Sequence, residues 1–190
     1  MNTRDIAREA VRSRLSQVAV ELFRKEGFEQ VTFDTLAEAA GVSRSTFIRY
    51  FGTKEDAVLS TFDAKGERVV DALRNRPAGE DEWAALRHAL GILVEEYQHD
   101  PVGTLALSRL ILETPALAKR QFDKQRRWRP LMAEALAERA GSASPTLPQQ
   151  VRAAAALDCV YLAVEQWHSS DGTLDLTALL DDAFAVVAAG

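Results

Sequence analysis

The sequence predicts an all-α protein of about nine helices, on two observations. Apolar residues recur at spacings of three and four along most of the 190 residues, and no run shows the period of two that a strand requires. The interruptions between those runs carry residues that start or end helices: Gly27, Gly41, Asp100-Pro101, Thr114-Pro115 and Asp171-Gly172. Apolar residues make up 47% of the chain, enough to bury a substantial core.

The first helix is expected from about Arg4 to Glu26, with Val11, Leu15, Val18, Ala19, Leu22 and Phe23 on one face. Gly27 ends it, because glycine enters the left-handed region without a steric penalty. Thr32 caps a second, short helix whose buried stripe is Leu36, Ala37 and Ala40. Gly41 turns the chain and Ser43 caps a third helix. Thr53, with Asp56 three residues on, opens a fourth that is expected to reach about Arg74. Asn75 to Asp81 is a turn.

Beyond it, Trp83, Leu86, Leu90, Leu93, Val94 and Tyr97 form one apolar stripe. Asp100-Pro101 and Thr114-Pro115 each read as a cap followed by proline at the first helical position. Pro130 should kink or divide the helix that follows. Gly141 to Pro148 is a loop, Val151 to His168 a helix, and Leu176 to Val187 a final amphipathic helix.

The segment from Thr32 to Lys54 is the most informative. Val42, Phe47 and Phe51 point toward a core, whereas Arg44, Ser45, Ile48, Arg49 and Tyr50 are left on the open side. An apolar back and a polar, basic front on two short helices joined by a glycine turn is the division used by helix-turn-helix units. Charge follows the same line. Residues 1–54 hold 9 Lys/Arg against 7 Asp/Glu, and residues 55–190 hold 14 against 21, within a net charge of −5. Arg44, Ser45 and Arg49 are candidates for base edges, and Thr32, Thr46, Tyr50 and Lys54 for phosphates.

The same segment resembles the DNA-binding domain of the TetR (tetracycline-repressor-like) family. The resemblance is carried by Gly27-Phe28, Thr32, Leu36-Ala37-Glu38-Ala39-Ala40-Gly41-Val42-Ser43, Thr46-Phe47, Tyr50-Phe51 and Lys54-Glu55. Members often have an aromatic residue where Ile48 stands; isoleucine can meet a thymine methyl but cannot bond a phosphate. The resemblance implies a helix-turn-helix domain, here residues 1–54, joined to a larger effector-binding and dimerisation domain, residues 55–190. It supports the phosphate role of Tyr50 and Lys54. It implies a homodimer through the last two helices on a palindromic DNA operator, repression, and relief by a small effector among the middle helices.

Lining candidates for an apolar or amphipathic effector are Trp83, Leu86, Leu90, Tyr97, Leu110, Phe122, Trp128, Met132, Leu157, Tyr161 and Trp167. Arg126, Arg127 and Arg129 beside Trp128 could meet an anionic head group such as that of an acyl-coenzyme A. The alanine run Ala153 to Ala156 would allow close helix approach in a dimer.

Other classes find less support. Glu96/His99 and Glu165/His168 are two Glu-x-x-His pairs, half the ligand set of a di-metal oxidase bundle, but each falls at a helix end. There is no glycine-rich phosphate loop, paired-cysteine motif or nucleophile elbow, so neither a cofactor nor an enzymatic activity is expected. The single cysteine, Cys159, reads as a packing residue and excludes an internal disulfide. No apolar run reaches the length of a membrane span, and a cytoplasmic protein is expected. A third reading keeps the DNA-binding domain but makes the protein an activator or an architectural binder.

Overall fold

The computed structural model describes residues 3–60 and 62–188. Eleven helices are found among them: α1 Thr3–Glu26, α2 Phe33–Ala39, α3 Arg44–Phe51, α4 Lys54–Val58, α5 Phe62–Arg74, α6 Glu82–His99, α7 Pro101–Glu113, α8 Pro115–Arg126, α9 Trp128–Arg139, α10 Leu147–Ser169 and α11 Leu176–Ala188. The two helices beyond the expected nine come from two interruptions. The expected fourth helix breaks at Leu59-Ser60. Ala57, Val58, Leu59 and Ser60 are all buried, and an unbroken surface helix cannot bury four successive residues. The second break is the one expected of Pro130. Proline has no N–H to give the Arg126 carbonyl four residues back, so the helix stops at Arg126 and Pro130 falls in the first turn of α9.

The chain forms two compact units. One contains residues 1–63 and 106–122, the other residues 64–105 and 123–190. In the first, α1 packs on α2 and α4, and α3 packs on α2 and α4. Its core holds Leu15, Ala19, Phe23, Phe28, Val31, Leu36, Phe47 and Phe51. Phe23 and Phe28 rings lie 4.8 Å apart, and Phe47 sits 5.1 Å from Phe51. Val11 is 43% exposed, so the buried face of α1 starts lower than its apolar stripe suggests. Arg120 of α8 bonds the Asp56 carboxylate of α4 at 3.1 and 3.2 Å.

In the second unit, α10 packs against α6, α9 and α11, and α6 also meets α11. Leu86, Leu90, Met132, Leu136 and Leu180 are fully enclosed. Polar groups tie the helices together. Arg87 pairs with Asp181 at 2.7 Å, and Glu82 takes bonds from Gln149 and Arg152 at 2.7 Å each. The expected loop ends sooner than Pro148: Thr146 forms a capping box with Gln149, and Pro148 lies inside the first turn of α10. No described helix is long and apolar enough to cross a membrane.

Candidate nucleic-acid interface

The turn between α2 and α3 is built by local chemistry. Thr32 accepts from the Thr35 amide at 3.2 Å, while Thr35 Oγ1 accepts from the Thr32 amide at 2.9 Å, closing a reciprocal cap. At the other end of α2, Gly41 takes φ +67°. Its amide bonds the Glu38 carbonyl and the Val42 amide bonds the Ala37 carbonyl, both at 3.0 Å. Ser43 then caps α3 by accepting from the Thr46 amide at 3.1 Å.

Because successive side chains turn by about 100° on a helix, burial of Phe47 and Phe51 fixes what α3 presents outward. Ser45 and Arg49 lie opposite the buried face and are exposed. Arg44 and Ile48 flank them on one side, Thr46 and Tyr50 on the other. Arg44 reaches Asp34 at 3.4 Å, but both side chains are mostly exposed. Such a surface pair is worth only ~0.5 kcal/mol and does not withhold Arg44 from an anionic partner. The Ser43 hydroxyl lies 3.0 Å from that of Ser45 and donates to the Thr46 hydroxyl at 2.9 Å.

Lys54 has a structural task. Its ammonium donates to the Phe28 and Val31 carbonyls at 2.8 and 3.0 Å and sits 4.6 Å from the Phe28 ring centroid. Two of its three donors therefore pin the connection between α1 and α2. The N-terminal half of α1, expected from its periodicity only to bury an apolar face, also borders this region. Arg4, Ala7, Arg8 and Val11 line an open cleft with Arg49 and Tyr50. The spacing of four between Arg4, Arg8 and Arg12 is the signal that was present in the sequence for it.

The eleven effector candidates do not share one environment. Leu86, Leu90 and Met132 are fully enclosed, and Trp128, Leu157 and Trp167 are nearly so. Trp83 donates its indole N–H to the Phe184 carbonyl at 3.0 Å and lies 4.5 Å from the Phe184 ring. Leu110 is half-buried. Phe122 and Tyr161 are 48% and 42% exposed. Tyr97 and Trp167 stack at 6.4 Å and line a cleft of about 230 Å³ with Gln98, Pro101, Leu174 and Asp175. Burial, reinforced by the Glu96 charge, raises the Tyr97 phenol to about 12, so it stays a neutral donor. In the arginine cluster, Arg129 is taken by Asp158 at 3.0 Å.

The di-metal reading loses its first ligand pair. Glu96 is engaged by Arg68 and, at 3.2 Å, by Lys65, which leaves its carboxylate committed to cations. Among the described residues no group of three or more His, Cys, Asp or Glu is placed to hold a metal. Burial pushes the Cys159 thiol up, and its Sγ lies 3.5 Å from the Ala183 carbonyl, as suits a packing residue.

Residues 15–60 match the family described as bacterial regulatory proteins, tetR family. Residues 80–190 match the MftR C-terminal domain. The chain is 32% identical over 176 residues to MftR of Mycobacterium tuberculosis (strain ATCC 25618 / H37Rv), named as a mycofactocin biosynthesis transcriptional regulator, covering 93% of this chain and 88% of that one. Among solved structures, FadR of Thermus thermophilus, a repressor in complex with lauroyl-CoA, aligns with TM-score 0.61 and 24% identity over 93% of both chains. FadR of Bacillus subtilis, in complex with stearoyl-CoA, aligns with TM-score 0.64 and 19% identity over 92% of this chain and 96% of that one. At these identities the two structures speak to the fold alone. The chain belongs to the TetR family of bacterial regulatory proteins: it is a DNA-binding transcriptional regulator, not an enzyme, with a helix-turn-helix unit followed by a C-terminal domain of the MftR type.

Proposed function

We propose that the protein is a cytoplasmic repressor that occupies a palindromic operator as a homodimer and is released by a small apolar or amphipathic effector. The observation that carries this is the outward face of α3, where Ser45 and Arg49 stand opposite buried Phe47 and Phe51. In this reading residues 1–54 bind DNA. Arg44, Ser45 and Arg49 reach base edges, and Thr32, Thr46 and Tyr50 reach phosphates. Lys54 contributes chiefly by holding the α1–α2 connection, with its third donor left for a phosphate.

Residues 55–190 carry the dimer and effector functions. Val151 and Leu162 share one face of α10 and are 57% and 54% exposed, and on α11 Val186 is 76% exposed. Unburied apolar residues on both terminal helices support pairing with a second copy. Val151→Glu with Leu162→Glu should turn a dimer into a monomer in sedimentation equilibrium. A wild-type chain that is monomeric at micromolar concentration would remove the dimer.

The Tyr97–Trp167 cleft is where an effector's apolar part would enter. Acyl-CoA thioesters are the first probes, because two proteins of this fold hold them. Lauroyl-CoA should raise the melting temperature and release bound DNA, with Tyr97→Ala reducing both effects. Absence of either response sets aside the acyl-CoA class. The name of the MftR relative makes mycofactocin biosynthesis genes the first place to look for an operator.

A further inference from the structure

The outward face of α3 is not the whole basic surface of the N-terminal unit. On α1, Arg4 and Arg8 stand one turn apart and both are exposed. Arg12, the next position in that row, turns inward, with its guanidinium carbon 5.8 Å from the Phe51 ring centroid. Arg4 and Arg8 are thus the outward members of the row. They line, with Ala7 and Val11 of α1 and Arg49 and Tyr50 of α3, a cleft of about 540 Å³. Among the described residues its lining holds three arginines, Arg4, Arg8 and Arg49. Neither Arg8 nor Arg49 is engaged by an acidic side chain among the described residues.

We propose that this cleft seats the sugar–phosphate backbone bordering the groove that α3 enters, with Arg8 and Arg4 as phosphate contacts. Arg49 ties the two surfaces together, because it belongs both to the outward face of α3 and to the cleft wall. The apolar stretch of wall formed by Ala7 and Val11 suits a deoxyribose, and the arginines suit the phosphates on either side. The inference rests on the DNA-binding reading and extends it. The footprint of each protomer reaches past the base pairs read by α3, and α1 sets affinity without setting sequence preference.

The test compares wild type, Arg4→Ala/Arg8→Ala and Arg8→Lys on the duplex recovered by selection from a random pool, over a salt series. Each lost phosphate contact lowers the slope of log K against log salt by ~0.9. The double variant should therefore lose ~3 to 4 units of slope as a dimer and bind at least ~10-fold more weakly at low salt, with the selected motif unchanged. Arg8→Lys should recover most of the slope. Circular dichroism of the double variant should match wild type, since both side chains are exposed. Equal slope and affinity for the double variant would overturn the proposal. So would unchanged DNA binding with lost binding of lauroyl-CoA, which would give the cleft to an amphipathic anion. Failure of the wild type itself to select any duplex would instead overturn the DNA-binding reading, and this inference with it.

Discussion

In residues 64–105 and 123–190 most arginines are held by carboxylates or backbone carbonyls, whereas in the N-terminal unit several are not. Arg74 bonds Glu138 at 2.8 Å, Arg76 bonds Glu80 and Arg87 bonds Asp181 at 2.7 Å each, and Arg139 donates to the carbonyls of Arg76, Pro77 and Glu80. By contrast, among the described residues Arg8 and Arg49 stand exposed without a carboxylate, and Arg44 has an exposed partner at 3.4 Å. The helices of the first unit are defined instead by neutral caps, Thr32, Ser43 and Thr53. Capping with hydroxyls satisfies helix ends without consuming cations, which leaves positive charge for an anionic partner. In the larger unit the same residue type acts as a fastener.

That contrast can be broken or sharpened by substitution. The largest effect is expected from Phe47→Ala, which empties a fully buried position behind α3. It should cost ~3–5 kcal/mol of stability, read as a lower melting temperature with loss of DNA binding. Next comes Arg49→Ala. Operator affinity should fall by about 1–3 kcal/mol per half-site with a relaxed motif, while the melting temperature stays close to wild type. A drop in stability without a change in binding would make Arg49 a fastener too. Arg139→Ala should do the reverse. Leaving three backbone carbonyls without their guanidinium donor should cost about 1–2 kcal/mol of stability and leave the folded protein's operator affinity intact.

The smallest effect is a pH dependence. Arg76, then His88, hold the Glu80 carboxyl down at about 2 against an ordinary value of 4.5. A lowered folded-state value stabilises the charged form, so this contribution is in place above about pH 4.5 and is lost as pH falls toward 2. Glu80→Gln should flatten the thermal stability profile across that window; an unchanged profile would show that the Glu80 cluster carries no linkage.

How much of this could be read beforehand follows the same division. The N-terminal unit announces itself, because Thr32, Gly41, Ser43 and Thr53 act through bonds within four residues of themselves. The break at Leu59-Ser60 is silent in sequence. No glycine or proline marks it, and only the packing that buries residues 57–60 in succession creates it. Leu86, Met132 and Tyr161 look alike in an apolar stripe, yet the first two are enclosed and the third faces outward. Periodicity gives a buried face but not which neighbour covers it. Arg8 is not legible in sequence because a basic residue on a long helix is ordinary until α3 lies beside it.

The central claim, that unspent cations of the first unit read a specific duplex, is tested most directly by selecting bound sequences from a random duplex pool at two salt concentrations. An inverted repeat that survives the higher salt is expected, its half-site spacing reporting the distance between paired α3 helices. Binding that disappears at modest salt and leaves no motif would contradict it.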